Sequence, residues 1–199
     1  MRNKLPTWLF ITTPLLSMLV IGATLANYGW TDEGLRLSAR YTVRVGLPLF
    51  LAAYAAGALA YFFPSDTTQW LRRNRRYLGI NFAVAHFIHL ATVILFFTNV
   101  EEPLSIVTLL GGGLAYVFMG AMMLTSNNWS VKTLGKNWGR LHLIGSHLLW
   151  GIFFVSYLGR LSDPGREAIG IVGLLIIVPP LLLRMAAATS KRKARQKTS

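Results

Sequence analysis

Cysteine is absent from the 199 residues. Its absence excludes disulfides, thiolate metal sites, cysteine nucleophiles and cysteine-held iron–sulfur clusters. Charge is scarce too: 14% of residues are charged, against roughly 25% in a soluble domain. The scarcity has a location. Between Met1 and Trp30 the only charges are Arg2 and Lys4, and between Arg76 and Lys132 only Glu101 and Glu102. A helix in water needs a polar face, which such stretches cannot supply. The GxGxxG and P-loop patterns are missing as well. The longest stretches between apolar runs have about a dozen residues, whereas a domain needs at least about 50. That leaves no room for a nucleotide- or flavin-binding domain, and no signature for FMN or a quinone is evident.

Hydrophobic residues are abundant, at 53% of the chain with a mean hydropathy of +0.47. A membrane span takes about 20 apolar residues. Six segments qualify, near residues 7–28, 41–63, 77–98, 104–124, 138–157 and 169–183. The expected fold is all-α: a polytopic membrane protein with a six-helix transmembrane bundle. Residues 1–190 form a single transmembrane domain, and residues 191–199 a basic cytoplasmic tail that lies on anionic lipid. The first segment is too long for the apolar core of a signal peptide and reads as a span. Pro179-Pro180 predicts a break or an end late in the sixth segment.

The net charge of +13 does not indicate a nucleic-acid partner. Its residues sit in short clusters between apolar runs, where they set membrane orientation. With the N-terminus inside, Arg2, Lys4, Arg72, Arg73, Arg75, Arg76, Lys132, Lys136, Arg140, Arg184 and the tail lysines and arginines all face the cytoplasm. Arg36, Arg40, Arg44, Arg160 and Arg166 face out, with six of the seven acids. Both termini are then cytoplasmic and the location is a bacterial inner membrane.

All four histidines fall within expected spans, His86 and His89 in the third and His142 and His147 in the fifth. An ionisable side chain in lipid is costly and marks a functional site by default. Imidazole is the commonest metal ligand, and facing helices of a bundle can hold a cofactor between them. His86 and His89 project from one face of their helix. Depth along the helices, at about 1.5 Å per residue, matches His86 with His147 best. One haem gripped by a histidine from each helix is feasible. Two stacked haems would need a spacing on the order of a dozen residues on each helix; here the spacings are three and five. A zinc ion in a shell of four imidazoles is the competing metal site, though zinc usually draws in cysteine or carboxylate. Histidines that only bond a neighbouring helix are the competing structural reading.

The run Arg75-Arg76-Tyr77-Leu78-Gly79-Ile80, followed by His86 and His89, resembles the third helix of the ferric-reductase-like transmembrane domain family. Thr125-Ser126, Leu134-Gly135, Trp138 and Leu141-His142 resemble the approach to its fifth helix, and Ala39-Arg40 is similar to a Gly-Arg element before its second. The family includes the haem-binding membrane subunit of the bacterial periplasmic methionine sulfoxide reductase system. The resemblance covers residues 38–160. It implies b-type haem held by histidines of the third and fifth helices, and electron transfer across the membrane. By position His89 and His142 match family ligands, and His86 is an addition. A second family histidine lies thirteen residues after the first in the fifth helix; here that position is Val155. His147 is then the substitute, or the chain holds a single haem.

The expectation is therefore a b-type haem subunit of a ferric-reductase-like redox system, an oxidoreductase component that needs a redox partner protein or a quinol donor. Its iron ligands come from His86, His89, His142 and His147, the resemblance favouring His89 with His142 and the depth favouring His86 with His147. Arg140, two residues before His142, is positioned for a haem propionate; the Arg72–Arg76 cluster suits propionates, an acidic donor or plain topology equally. The alternative from another class is a transporter or scaffold whose histidines pack or relay protons. No internal repeat is evident and no acid lies within a span, features that transporters often show.

Overall fold

The computed structural model describes residues 6–100 and 106–197. Arg2, Lys4, Glu101, Glu102 and residues 104–105 at the start of the fourth segment lie outside the described residues. Within them the chain forms seven α-helices: α1 Thr7–Tyr28, α2 Asp32–Phe62, α3 Asp66–Val100, α4 Ile106–Leu124, α5 Asn128–Leu134, α6 Lys136–Gly159 and α7 Glu167–Lys197. Five of them (α1, α2, α3, α6 and α7) are long and apolar enough to cross a membrane. The sixth candidate crossing is the pair α4 and α5, bent by 105° at a short break. The exterior suits lipid: Ile11, Val117 and Leu175 are each about two-thirds exposed.

Local chemistry explains where the helices stop. Gly29 adopts φ 69°, a left-handed conformation open to glycine, and Thr31 then caps α2 by accepting from the Gly34 amide at 3.1 Å. Asn127 caps α5 in the same way through Ser130 N, at 2.8 Å. Gly135, with φ 50°, turns the chain from α5 into α6. Replacing Asn127 with alanine should cost about 1 kcal/mol. Amide exchange across Asn128–Leu134 in micelles should speed up roughly fivefold; unchanged exchange would show that the cap does not hold this turn.

The structure corrects one expectation. Pro179 and Pro180 do not end the last helix; α7 runs through them to Lys197. In the same stretch Trp150 Nε1 of α6 donates to the Ile177 carbonyl at 2.8 Å. That bond ties α6 to α7 two residues before the prolines. Helix α7 passes residue 191 without a break, so the basic tail is helical up to Lys197.

Helix α3 packs on α2 and α1, and α6 packs on α7 and α4. Phe50, Tyr54, Phe82, Ala83, Ala115, Met119 and Leu149 form the core between them. Glycines allow close approach between these helices. A side chain at Gly145 would press on Met122 Sδ at 2.7 Å, and one at Gly46 would overlap the His86 ring. Helices α3 and α6 meet through rings: Phe153 lies 5.8 Å from His86 and 6.4 Å from Phe82, between centroids.

Candidate functional site

Helices α3 and α6 run side by side in the same direction. Arg76 and Gly79 share one cavity wall with Gly139 and His142, while His86 lies level with Phe153. This register separates the histidines by height. His147 stands six residues below Phe153 and His142 eleven below, or about 9 and 16 Å along the axis. Val155 of α6 is 65% exposed.

Each imidazole has its own surroundings. His86 is 6% exposed. Its Nδ1 bonds the Phe82 carbonyl at 3.2 Å, its ring stands 4.2 Å from Phe82, and it occupies the space a side chain at Gly46 would fill. Its Nε2 is buried with no partner among the described residues. His89, 5.9 Å from His86 between ring centroids, has Nδ1 at 3.1 Å from the Thr42 hydroxyl, which also contacts Thr92. His142 lies against Trp138 at 4.2 Å, with Nε2 at 3.3 Å from the Thr125 hydroxyl. His147 repeats the pattern of His86: Nδ1 bonds the Leu143 carbonyl at 2.8 Å, and the ring meets Tyr54 edge-on at 5.7 Å. No group of three or more histidine and carboxylate side chains gathers among the described residues, so the four-imidazole zinc shell is not formed.

Between α3 and α6, at their arginine-rich end, lies a cavity of about 550 Å³, a size typical of cofactor sites. Its inner wall is apolar, with Phe50, Phe82, Met119, Met122 and Leu149; its mouth carries Arg72, Arg73, Arg75, Arg76 and Arg184, and no acid lines it. Sequence reasoning placed four of these arginines in a cluster but gave Arg184 only a topological role. Arg184 in fact reaches back from α7, donating to the Tyr54 carbonyl at 2.9 Å with its guanidinium 4.1 Å over the Tyr54 ring. Arg140, the expected propionate partner, is not on the lining; it contacts Asn137 at 3.5 Å. Tyr54 was missed altogether. It is 4% exposed, lines the cavity, and its hydroxyl has no partner among the described residues. The available signal was its place one turn after Phe50, on the same face of α2.

A flat apolar group bearing anionic arms fits this donor set. The walls are aromatic and thioether, the mouth is cationic without counter-charge, and two buried polar atoms nearby, His86 Nε2 and Tyr54 Oη, lack partners. The fold and these features define a multi-pass, all-helical membrane protein with a cofactor-sized cavity that, of the four histidines, His142 alone lines.

Comparison with known proteins places the chain more narrowly. It is 29% identical over 172 residues to the protein-methionine-sulfoxide reductase haem-binding subunit MsrQ of Yersinia pseudotuberculosis serotype O:1b, covering 77% of this chain and 80% of that one. Identity to MsrQ of Yersinia pestis (strain Pestoides F) is also 29%, over 79% of its length. The chain is a distant relative of the MsrQ family. No family model matches it, and no solved structure does.

Proposed function

We propose that the chain is a b-type haem subunit that moves electrons through a bacterial inner membrane, as the membrane part of a ferric-reductase-like redox system. The observation that carries this reading is the cavity between α3 and α6, lined by apolar side chains, five arginines and His142. One imidazole from α3 and one from α6, out of His86, His89, His142 and His147, hold the iron of a single haem. Bound iron supplies one-electron redox chemistry by cycling between ferric and ferrous states. The chain supplies the rest. Phe50, Phe82 and Leu149 exclude water, and Arg72, Arg73, Arg75, Arg76 and Arg184 receive the propionates in charge-assisted bonds.

Residues 1–190 act as one membrane domain, with α4 and α5 together making the sixth crossing and both termini in the cytoplasm. Electrons enter from a cytoplasmic redox protein or a quinol and leave at the outer face. The relatives' name supports a reductase partner for oxidised methionine in proteins, reached from that face.

The test is an absorption spectrum of the purified chain, expressed with ample haem, before and after dithionite. The expected result is a Soret band with sharp α and β bands on reduction. A colourless protein would favour the transporter or scaffold reading, in which the histidines only pack or relay protons.

A further inference from the structure

The cavity between α3 and α6 carries more positive charge than one cofactor answers. Arg72, Arg73, Arg75, Arg76 and Arg184 line it, and no acid does. The two propionates of a haem would balance two of these charges and leave three. The ion pairs among the described residues, Glu33–Arg36 and Asp163–Arg166, involve none of the five. Arg76 is held by the Asn128 side chain at 2.8 Å and Arg184 by the Tyr54 carbonyl at 2.9 Å. Neither partner is negatively charged. Arg75 stands close enough to Arg184 for the two guanidiniums, from different helices, to repel each other.

The lining also changes character along the helices. On α3 the charges stop at Arg76, and Tyr77 opens a mostly apolar run; on α7 Arg184 directly follows Leu181-Leu182-Leu183. Both transitions meet at this cavity, whose apolar wall includes Phe50, Met119 and Leu149. In a span, such a change marks the level of the lipid head groups. Leu143 of α6 lines the same cavity and is 53% exposed, so the cavity opens sideways onto the bilayer. A soluble anion or an acidic protein would meet only the guanidiniums. An amphiphile with a phosphate head and hydrocarbon chains uses both parts of the lining, and basic pockets between membrane helices on the cytoplasmic side take such heads.

We infer that this mouth binds one anionic phospholipid of the cytoplasmic leaflet, its phosphate held between Arg75 of α3 and Arg184 of α7 and a chain lying along Leu143. A guanidinium holds a phosphate through two parallel N–H···O bonds. Arg184 is set in place for this, bonded to the Tyr54 carbonyl with its charge 4.1 Å over the Tyr54 ring. Helix α7 packs on α6 and α2. A phosphate shared with Arg75 would fasten α7 to α3 as well, so the lipid should act on stability. The inference goes beyond the haem reading and does not need it. With haem bound, Arg72, Arg73 and Arg76 remain for the propionates.

The test uses the full-length chain in an uncharged detergent, and reads melting curves and native mass spectra. Saturating phosphatidylglycerol should raise the melting temperature by roughly 5 °C and stay on the chain as one bound molecule. Phosphatidylcholine, whose head is zwitterionic, and inorganic phosphate should do neither. Arg75→Gln should weaken phosphatidylglycerol binding about tenfold, the loss of one charge-assisted contact. Arg75 is exposed and makes no hydrogen bond among the described residues, so this variant tests the site without disturbing the fold. Arg140→Gln removes a cation that is off the lining and contacts Asn137; it should leave binding unchanged. Equal binding of phosphatidylcholine would reduce the site to ordinary chain contact and overturn the proposal. An equal effect of inorganic phosphate would make the occupant a soluble anion and overturn the lipid. An equal loss in Arg140→Gln would make the attraction a diffuse surface effect and overturn the site. The Soret band per chain, read on the same samples, reports on haem separately: lipid binding without that band would uphold this proposal and reject the haem reading.

Discussion

Gly46→Val is expected to lower the protein's thermal stability, although position 46 carries no functional group. A side chain there would overlap His86 Cε1 and Nδ1, the same nitrogen that bonds the Phe82 carbonyl. The ring cannot retreat cheaply, since Phe82 stands 4.2 Å away and Phe153 5.8 Å on the other side. Overpacking of this kind costs typically about 1–3 kcal/mol. On the proposed haem reading, displacing the imidazole would also lower cofactor retention if His86 is the α3 ligand. Gly57→Val in the same helix is the control, because a side chain there meets nothing within 4 Å. The measurement pairs a melting curve in detergent with the Soret absorbance per chain. A second arm combines Gly46→Val with His86→Ala. If the cost is the clash, the double variant should recover most of the stability lost by the valine alone, a coupling that a double-mutant cycle isolates. An unchanged melting temperature in Gly46→Val would show that the ring is not seated against α2 as described; a lowered melting temperature with unchanged haem content would remove His86 from the proposed ligands.

The sequence made the helices legible because lipid imposes one rule over many residues: backbone groups must be satisfied within the span, and side chains must be apolar. That rule set the positions of α1, α2, α3, α6 and α7. It did not show how far helices continue past the hydrocarbon, since polar helix and loop look alike in composition. Hence α3 starts at Asp66 rather than near Tyr77, and α7 reaches Lys197. The prolines at 179 and 180 misled because a helix within a packed bundle can continue through them, as α7 does. In the site, the histidines stood out because imidazole in lipid is rare. Their pairing was less legible. Depth counted from expected span starts put His86 and His147 at one height, whereas the contact of His86 with Phe153 leaves His147 six residues lower on α6, about 9 Å along the axis. The family match ranked His89 with His142 first. Tyr54 and Arg184 meet over 130 residues of sequence, through a backbone carbonyl and a ring face. Neither contact leaves a motif.

Orientation offers an all-or-none result, and the absence of cysteine makes it clean. Single cysteines can be placed at Ser65, between α2 and α3, at Ser162, between α6 and α7, and at Lys193 near the end of α7. Intact cells are then treated with a membrane-impermeant maleimide. The arginines that line the cavity mouth come from the start of α3 and from α7, the ends that carry most of the positive charge. Short basic segments stay on the cytoplasmic side. Ser162→Cys should label in whole cells, and Ser65→Cys and Lys193→Cys only after lysis. That outcome puts the cationic cavity mouth where a cytoplasmic partner can reach it, with His86 and His89 toward the outer half. The salt bridges Glu33–Arg36 and Asp163–Arg166 would then lie together on the outer face, where their paired charges add little to the inward bias. Labelling of Ser65→Cys in intact cells would reverse the whole chain, turn the arginine mouth outward, and make an extracytoplasmic donor the only one able to meet it.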